Sequence, residues 1–306
     1  EAVVSNRIEG TRTNIEEALN NENDINPEKR DDWKEVNNYV SAMNSSIENL
    51  KTLPISSRLL KDTHKVLLSN VRGEHKNPGE FRTSQNWIGG ASIADAVFVP
   101  PVHTELPKLI TDLDLFLNND ELKIPYLIKI AIAHYQFETI HPFLDGNGRI
   151  GRLLITLYLV SAGILEKPLL YLSEFFEKNK GLYYDNLTFV RTKNDITQWI
   201  RFFLTGIIQT AENSVETLRK IMDLKSRIEK EEIVSLGKRS QQGMNLFHKL
   251  FKNPVVSVKT VQSLTGLSQK AANDLVNVFV ERKILLETTG YQRNRIFVFR
   301  AYINLF

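Results

Sequence analysis

Apolar residues recur at every third or fourth position over most of the chain, and this spacing constrains the fold more than any other feature of the sequence. It is typical of amphipathic helices, and it is clearest in the segments 58–68, 106–117 and 199–208. The segment 127–139 follows Pro125 and is apolar around most of its circumference, which predicts a central helix. The sequence therefore predicts an all-α main body.

Length and composition exclude several classes of protein. A chain of 306 residues is long enough for about two domains. It contains no cysteine, which excludes disulfides, a thiolate nucleophile and a cysteine-ligated zinc. No apolar run approaches the roughly 18 residues that span a bilayer, and the first residues do not resemble a signal peptide. We therefore expect a cytoplasmic protein without membrane contact.

The stretch 72–101 departs from the helical pattern because it is rich in glycine and proline. Two short β-prone pieces lie in it, Trp87-Ile88 and Val97-Phe98-Val99. They predict a small β-hairpin or flap within a long loop. Loops of this length in a compact domain are usually functional.

The character of the sequence changes again towards its C-terminal end. A charged helical stretch, 215–238, reads as a connector. Two short helices (258–264 and 268–283), joined by a glycine-containing turn, then precede a ribbon that reverses at Thr289-Gly290, which is the order of a small winged helix-turn-helix domain. The predicted organisation is an N-terminal helical region (1–50), a main domain (51–210), a helical connector (211–240) and the winged-helix domain (241–306).

One string of residues carries most of the chemistry, and it follows the predicted central helix: His141-Pro142-Phe143-Leu144-Asp145-Gly146-Asn147-Gly148-Arg149-Ile150-Gly151-Arg152. Its glycines allow main-chain N–H groups to approach a ligand, and the next helix adds unpaired N–H groups at its start. Such a nest binds phosphate oxygens. Phe143 is expected to anchor the loop in the core.

Charged side chains in the same string point to nucleotidyl transfer. Arg149 and Arg152 are expected in the first helical turn, where cations oppose the helix dipole, so an anion is expected nearby. Asp145 offers the oxygen ligand that Mg²⁺ needs when it also binds substrate phosphates. His141 has an ordinary pKa near 6.5 and can take a proton from an attacking hydroxyl.

The string resembles the Fic family signature, His-x-Phe-x-Asp/Glu-Gly-Asn-Gly-Arg-x-x-Arg, at every defined position, and the resemblance extends over about 1–210. It implies a Fic-type helical fold and a protein adenylyltransferase that moves AMP from ATP to a Tyr, Thr or Ser hydroxyl. His141 would be the base and Asp145 the Mg²⁺ ligand. The phosphates would be held by the remaining signature residues: Gly146, Asn147, Gly148, Arg149 and Arg152.

The resemblance also implies where the target and the adenine bind. In the family, a flap before the signature pairs with the target segment as a strand, which here corresponds to residues 87–100, with Trp87, Ile88 and Val99. Tyr183 and Tyr184 either border the adenine or belong to the aromatic core.

Near the N-terminus, Ser5-Asn6-Arg7-Ile8-Glu9-Gly10 resembles the inhibitory helix motif of Fic proteins. A carboxylate at Glu9 paired with Arg152 would remove the charge meant for the γ-phosphate. Ser5 would fix this helix, and Gly10 would end it. The resemblance therefore implies autoinhibition, and some Glu-inhibited relatives also remove AMP.

Basic residues of the C-terminal unit leave two further readings open. Its cations would contact DNA phosphates if the helix from Ser268 enters a major groove, whereas winged helices also serve as protein-interaction modules. The alternative function is a DNA-binding regulator whose Fic domain senses nucleotides, although an intact His141 and Asp145 favour the enzyme. Self-modification and a homodimer are both compatible with the sequence.

Overall fold

The computed structural model describes residues 1–22, 25–291 and 293–306. They form two compact units. The first comprises Glu1–Thr13 and Pro27–Ala211, and the second Asn14–Asn26 and Glu212–Phe306. No helix in the described part of the chain is long and apolar enough to cross a membrane.

The first unit is built from helices, as its periodicity predicts. They are α1 (Ala2–Ile8), α3 (Arg30–Asn49), α4 (Ser57–Leu67), α5 (Leu106–Asn118), α6 (Tyr126–Ile140), α7 (Asn147–Ser161), α8 (Ser173–Lys178), α9 (Lys180–Lys193) and the first half of α10 (Thr197–Arg227). The N-terminal helix α1 packs against α3, α7 and α8. The start of the chain therefore packs into the first unit.

The predicted central helix is α6, and it packs against α7. Ile130, Phe137 and Ile140 of α6 are fully buried, and so is nearly every residue of α7 as far as Leu159. Burial of one such apolar side chain contributes about 1.5–3 kcal/mol to stability. The two helices thus form a rigid frame on either side of the loop at 141–146.

A buried histidine ties this frame to the helices that follow. His134 Nδ1 lies 2.9 Å from the Gly151 carbonyl, and its Nε2 lies 2.9 Å from the Tyr183 hydroxyl. Burial lowers the pKa of His134 to about 3, so the ring is neutral, with its proton on Nδ1 facing the carbonyl. Trp199 stacks on the same imidazole and donates its indole N–H to Ala131 O at 2.8 Å.

The second unit has its own core and a small sheet. Its elements are α2 (Ile15–Leu19), the second half of α10, α11 (Ser240–Leu250), β1 (Val255–Ser257), α12 (Val258–Thr265), α13 (Gln269–Glu281), β2 (Leu286–Glu287), β3 (Ile296–Val298) and α14 (Arg300–Ile303). The strands are antiparallel in the order β1-β3-β2. Phe297 of the middle strand β3 pairs with Val256 of β1 on one side and with Glu287 of β2 on the other. The helix pair and the ribbon lie where the sequence predicts them.

Two features of this unit differ from the expected organisation. The segment read as a connector supplies core residues, since Leu224, Ile228 and Ile233 are buried against Phe247 and Phe279. Residues 14–26, expected in the N-terminal region, belong to the second unit, where Glu16 pairs with Arg300. The charges of the connector cover its solvent side, while its apolar residues complete a core.

Candidate active site

The loop between α6 and α7 turns through two residues with positive φ. His141 ends α6 with φ 49° and ψ 59°, and its N–H donates to Phe137 O at 2.9 Å. Gly146 precedes α7 with φ 76°. A non-glycine residue held in the left-handed region costs on the order of 1 kcal/mol or more, so it persists only where its surroundings enforce it. The backbone of His141 is therefore fixed by its neighbours.

Contacts within the loop provide that enforcement. Asn147 accepts from Phe143 N–H and donates to Phe143 O, both at 2.8 Å. Phe143 is fully buried, as expected, and its ring stacks on His64 at 3.8 Å. His64 accepts from Gly79 N–H at 2.8 Å, so its Nε2 donates to Asp145 O at 3.0 Å. The Asn147 side chain is thus used to shape the loop, and only its main chain remains for a ligand.

Arg82 holds the base of the flap against the same loop. Its side chain is 2% exposed and donates to His141 O at 3.0 Å, Ser84 O at 3.1 Å and Pro101 O at 2.5 Å. Its main-chain N–H donates to Pro142 O at 2.9 Å. One buried cation therefore joins both ends of the flap to the loop at 141–146.

The imidazole of His141 is neutral in this environment. Burial lowers its pKa to about 4, and the cations Arg191 and Arg82 act in the same direction. Its Nδ1 is buried. A neutral ring has a lone pair available, which is the form that accepts a proton from a hydroxyl.

Arg149 and Arg152 both turn towards the N-terminal helix α1. Arg149 is the third residue of α7, as expected, but Arg152 is the sixth and lies in the second turn rather than the first. The helix dipole therefore bears on Arg149 and not on Arg152. What keeps Arg152 in place is a set of acceptors on α1.

The predicted pairing of Glu9 with Arg152 is present. Arg152 Nη2 lies 2.6 Å from Glu9 Oε1, and Arg152 also donates to Ser5 Oγ at 2.8 Å and Ser5 O at 2.9 Å. Burial raises the pKa of Glu9, but attraction to Arg152 outweighs it, so the pKa is lowered and the carboxylate is ionised. Gly10, with φ 99°, lets the chain leave the helix directly after this pair.

Glu9 also reaches the glycine loop itself. A Cβ on residue 148 would lie 2.5 Å from Glu9 Oε1 and 3.0 Å from Arg152 Nη1. The carboxylate thus sits against the bare main chain at the start of α7, where the N–H groups of a phosphate nest would act. The Glu9 carboxylate therefore lies where a phosphate would approach the Gly148 main chain, and it also pairs with Arg152.

Arg149 is surrounded by a second set of acidic and polar groups. Its guanidinium lies 3.8 Å from Glu35 Oε2, 3.6 Å from Asp145 Oδ1 and 3.5 Å from Asn6 Oδ1. Glu35 is itself buried and accepts from Arg72 at 2.8 Å. Both arginines of the signature are therefore buried and already engaged by protein oxygens.

Asp145 is the one carboxylate of the loop. Its side chain is 45% exposed, and Oδ1 accepts from Gly146 N–H at 2.6 Å. Among the residues that the structure describes, no three His, Asp or Glu side chains gather into a metal-binding group. This donor set does not suit a protein-only metal site. It does suit Mg²⁺ held through one carboxylate together with substrate phosphates.

The predicted flap, residues 87–100, is held together by one β-bridge, Ile88–Phe98. Ile88 N–H donates to Phe98 O at 2.8 Å, and Ile88 O accepts from Val97 N–H at 2.9 Å. Trp87 and Val99 are both exposed to solvent. The pairing is shorter than a regular hairpin, and the apolar side chains beside it are uncovered.

The two tyrosines near the site separate in role. Tyr183 is 2% exposed and fully engaged by His134 and Phe176, so the core reading applies to it and not the adenine-binding one. Tyr184 is 41% exposed and lies close enough to Glu9 to have its pKa raised to about 12 by burial and that carboxylate. Of the two tyrosines, Tyr184 is the one that remains a candidate for contact with a nucleotide base.

Comparison with known proteins agrees with this geometry. The Fic/DOC family model matches residues 54–159, and the model of the Fic/DOC family N-terminal region matches 1–48, so the two span about half of the chain. The chain belongs to the Fic/DOC family. The N-terminal match contains Ser5 and Glu9, and the other contains the whole loop from His141 to Arg152.

Curated Fic relatives match one part of the chain. Protein adenylyltransferase Fic of Aedes aegypti is 34% identical over 149 residues, which is 48% of this chain and 27% of that protein. The Culex quinquefasciatus protein of the same name is 32% identical over a match of the same extent. The match thus spans about a quarter of each relative's length.

Solved Fic structures share the fold. A Fic family protein from Desulfovibrio desulfuricans superposes with a TM-score of 0.59 at 21% identity, covering 96% of this chain and 83% of that one. A Fic domain containing signaling protein from Bacteroides thetaiotaomicron gives 0.58 at 20% identity, covering 69% of this chain and 83% of that one. The helical body around the loop is therefore the Fic fold.

Several residues that shape this Fic site were not singled out from the sequence. Three of them are distant from the signature in sequence: Glu35, His64 and Arg191. Glu138 lies just before the signature, but its spacing does not mark it as a site residue. Glu138 is fully buried, and burial raises its pKa to about 7. Its carboxylate fills the place where a Cβ at Gly151 would be. For Glu138, the signal in the sequence is a carboxylate within a largely apolar helix.

Proposed function

We propose that this protein transfers AMP from ATP onto a protein hydroxyl and that Glu9 holds the resting enzyme inactive. The observation that carries the proposal is the loop itself: a neutral, partly buried His141 stands at one end, and a glycine-rich helix start with two buried arginines stands at the other. The names of the curated relatives, protein adenylyltransferase Fic, support the same reaction.

In the proposed reaction, the oxygen of the target hydroxyl attacks the α-phosphorus of ATP, and His141 accepts the proton of that hydroxyl. The new bond joins that oxygen to the α-phosphorus, and the bond from the α-phosphorus to the bridging oxygen breaks. Pyrophosphate leaves with the electron pair. Arg149 and Arg152 stabilise the charge on the departing β- and γ-phosphates.

Asp145 would hold Mg²⁺ together with the phosphates, and the ion supplies positive charge where charge accumulates on the leaving group. The Asp145 side chain is 45% exposed, and Oδ2 is the oxygen that does not accept from Gly146 N–H, so the carboxylate is suited to this role. Main-chain N–H groups of Gly146, Asn147 and Gly148 would orient the phosphate oxygens.

Self-modification offers the most direct test of the proposed function. After incubation of the Glu9→Gly protein with ATP and Mg²⁺, we expect its intact mass to rise by one or more AMP units, because a hydroxyl of the chain serves as target. Incubation with the non-hydrolysable α,β-methylene analogue of ATP is the matched control. If the mass stays constant with ATP, and added protein substrates stay unmodified, the chain is not an adenylyltransferase.

For the second unit we propose a winged-helix module that binds DNA, with protein binding as the alternative. The order of β1, α12, α13, β2 and β3 supports it. Some basic side chains of this unit are already hydrogen-bonded within the protein, so they are less available to bind DNA phosphates. Arg282 donates to Glu232 and Ser235, and Arg295 donates to Asn273 and Asn277. Lys259 on α12 and Lys270 on α13 are exposed and lie on the two helices of the motif, so we propose them as phosphate contacts.

Replacement of both lysines tests the DNA proposal. The double variant Lys259→Glu/Lys270→Glu should bind duplex DNA more weakly, and the slope of log affinity against log salt should fall by about two, because each phosphate contact contributes about 0.9. Lys230→Glu/Lys238→Glu makes the same charge change at exposed positions outside α12 and α13 and should have little effect. If the full-length protein shows no retention of duplex DNA at low salt, only the protein-interaction reading remains.

A further inference from the structure

Arg191 connects the flap to the catalytic body. It lies in the last turn of α9, and its Cζ is 3.7 Å from the centre of the Phe98 ring. Phe98 is the flap residue whose main chain pairs with Ile88. The contact is therefore made at the paired part of the flap, away from its base, which Arg82 holds.

The surroundings of Arg191 favour a fixed position for its guanidinium. Its side chain is partly buried, lies near Tyr135 and Glu138, and has a buried Nε without a hydrogen-bond partner among the described residues. Burial lowers its pKa from the usual value, yet a guanidinium remains charged under all ordinary conditions. A cation that lacks full hydrogen bonding gains most from the face of an aromatic ring.

We propose that Arg191 is a positioning residue that holds the flap over His141 by stacking on Phe98. It would act in the proposed reaction through the target, because the flap fixes where the attacking hydroxyl lies relative to the imidazole. This inference rests on the proposed function for its kinetic consequence, but the clamp itself is a property of the free protein.

The charge of Arg191 has a second effect on the same histidine. The groups that act on the pKa of His141 are the main-chain carbonyl of Glu138 in its own helix, Arg191 from α9, Arg82 from the flap base and the Glu9 carboxylate after α1. Both arginines favour the neutral imidazole, whereas Glu9 favours the protonated form. Stacking and charge are separable, because lysine retains the charge without the planar face and leucine at 98 removes only the ring.

Hydrogen exchange measures the clamp without any assay of activity. The amides of Ile88, Val97 and Phe98 donate within the flap. In Arg191→Lys and in Phe98→Leu we expect these amides to exchange about tenfold faster, and in the double variant no faster than in either single one. Lys193→Ala, an exposed change two residues along α9, is the control and should leave their exchange unchanged.

Kinetics in the Glu9→Gly background then test positioning. Arg191→Lys and Phe98→Leu should lower kcat/KM for the target by about tenfold or more, while KM for ATP changes less than twofold. Arg191→Gln should also move the acid limb of the pH profile to higher pH, since loss of the cation raises the pKa of His141. Arg191→Lys should leave that limb in place.

Three results bear on the proposal in different ways. If flap amides exchange at wild-type rates in both single variants, while thermal melting shows intact folding, the clamp is overturned. If exchange rises but transfer by the Glu9→Gly parent is unimpaired by the same changes, the positioning role is overturned. If the Glu9→Gly parent transfers no AMP at all, the proposed function fails, and the exchange result still decides the clamp.

Discussion

Glu9→Gly should raise the rate of self-modification by about tenfold to a thousandfold. In the resting protein, the Glu9 carboxylate lies 2.6 Å from Arg152 and against the main chain at Gly148. The carboxylate therefore competes with a phosphate group both for Arg152 and for the main chain at Gly148. Since correct positioning of the reacting groups is worth several kcal/mol of the barrier, release of both elements should have a large effect.

Matched variants separate this explanation from simple loosening of the N-terminal helix. Glu9→Gln retains the shape of the side chain but not its charge, so it should activate nearly as well as Glu9→Gly. Arg7→Ala changes an exposed residue of the same helix and should leave the rate near that of the wild type. Addition of Arg152→Ala to Glu9→Gly should erase the gain, because the cation that Glu9 releases is then absent.

The measurement is incorporation of labelled AMP at one ATP concentration, with thermal melting as a check that each variant is folded. Equal rates for the wild type and Glu9→Gly would show that Glu9 is not the inhibitor. A gain that survives Arg152→Ala would show that release of the glycine loop, and not of the arginine, limits the reaction.

The sequence predicts the helical body well because its signals are local. The helices α4, α5 and α6 each bury a stripe or a full circumference of apolar residues, and such patterns are visible within one segment. Strand β1 was not predicted because three residues carry too little periodicity to be recognised. The packing of the charged connector could not be predicted, because only three of its apolar residues, Leu224, Ile228 and Ile233, lie in the core.

The site was only partly predictable, because some of its residues are brought together only by tertiary contacts. Residues from His141 to Arg152 act through main-chain geometry that glycine spacing encodes, so their order suffices to find them. Glu35, His64 and Arg191 act through tertiary contacts across long sequence distances. Only the fold brings Glu35 to Arg149, His64 to Asp145 and Arg191 to Phe98.

Replacement of His141 should nearly abolish AMP transfer while nucleotide binding persists. The side chain takes no part in the contacts that hold Asp145, Arg149 or the start of α7. Loss of a general base lowers rates by about a hundredfold to ten-thousandfold. We therefore expect transfer by the Glu9→Gly/His141→Ala protein to fall by that factor relative to Glu9→Gly, with its dissociation constant for ATP unchanged within about threefold.

The left-handed backbone of His141 determines how this experiment has to be designed. With φ 49°, alanine at this position adds strain to the loop, and a slow variant would then be ambiguous. Asparagine tolerates this conformation better than most other non-glycine residues, and it has no basic nitrogen. His141→Asn should therefore lose transfer as fully as His141→Ala while it keeps the melting temperature closer to that of the parent. Transfer retained by His141→Asn, with ATP bound normally, would mean that another group takes the proton and that the imidazole of His141 is not the base.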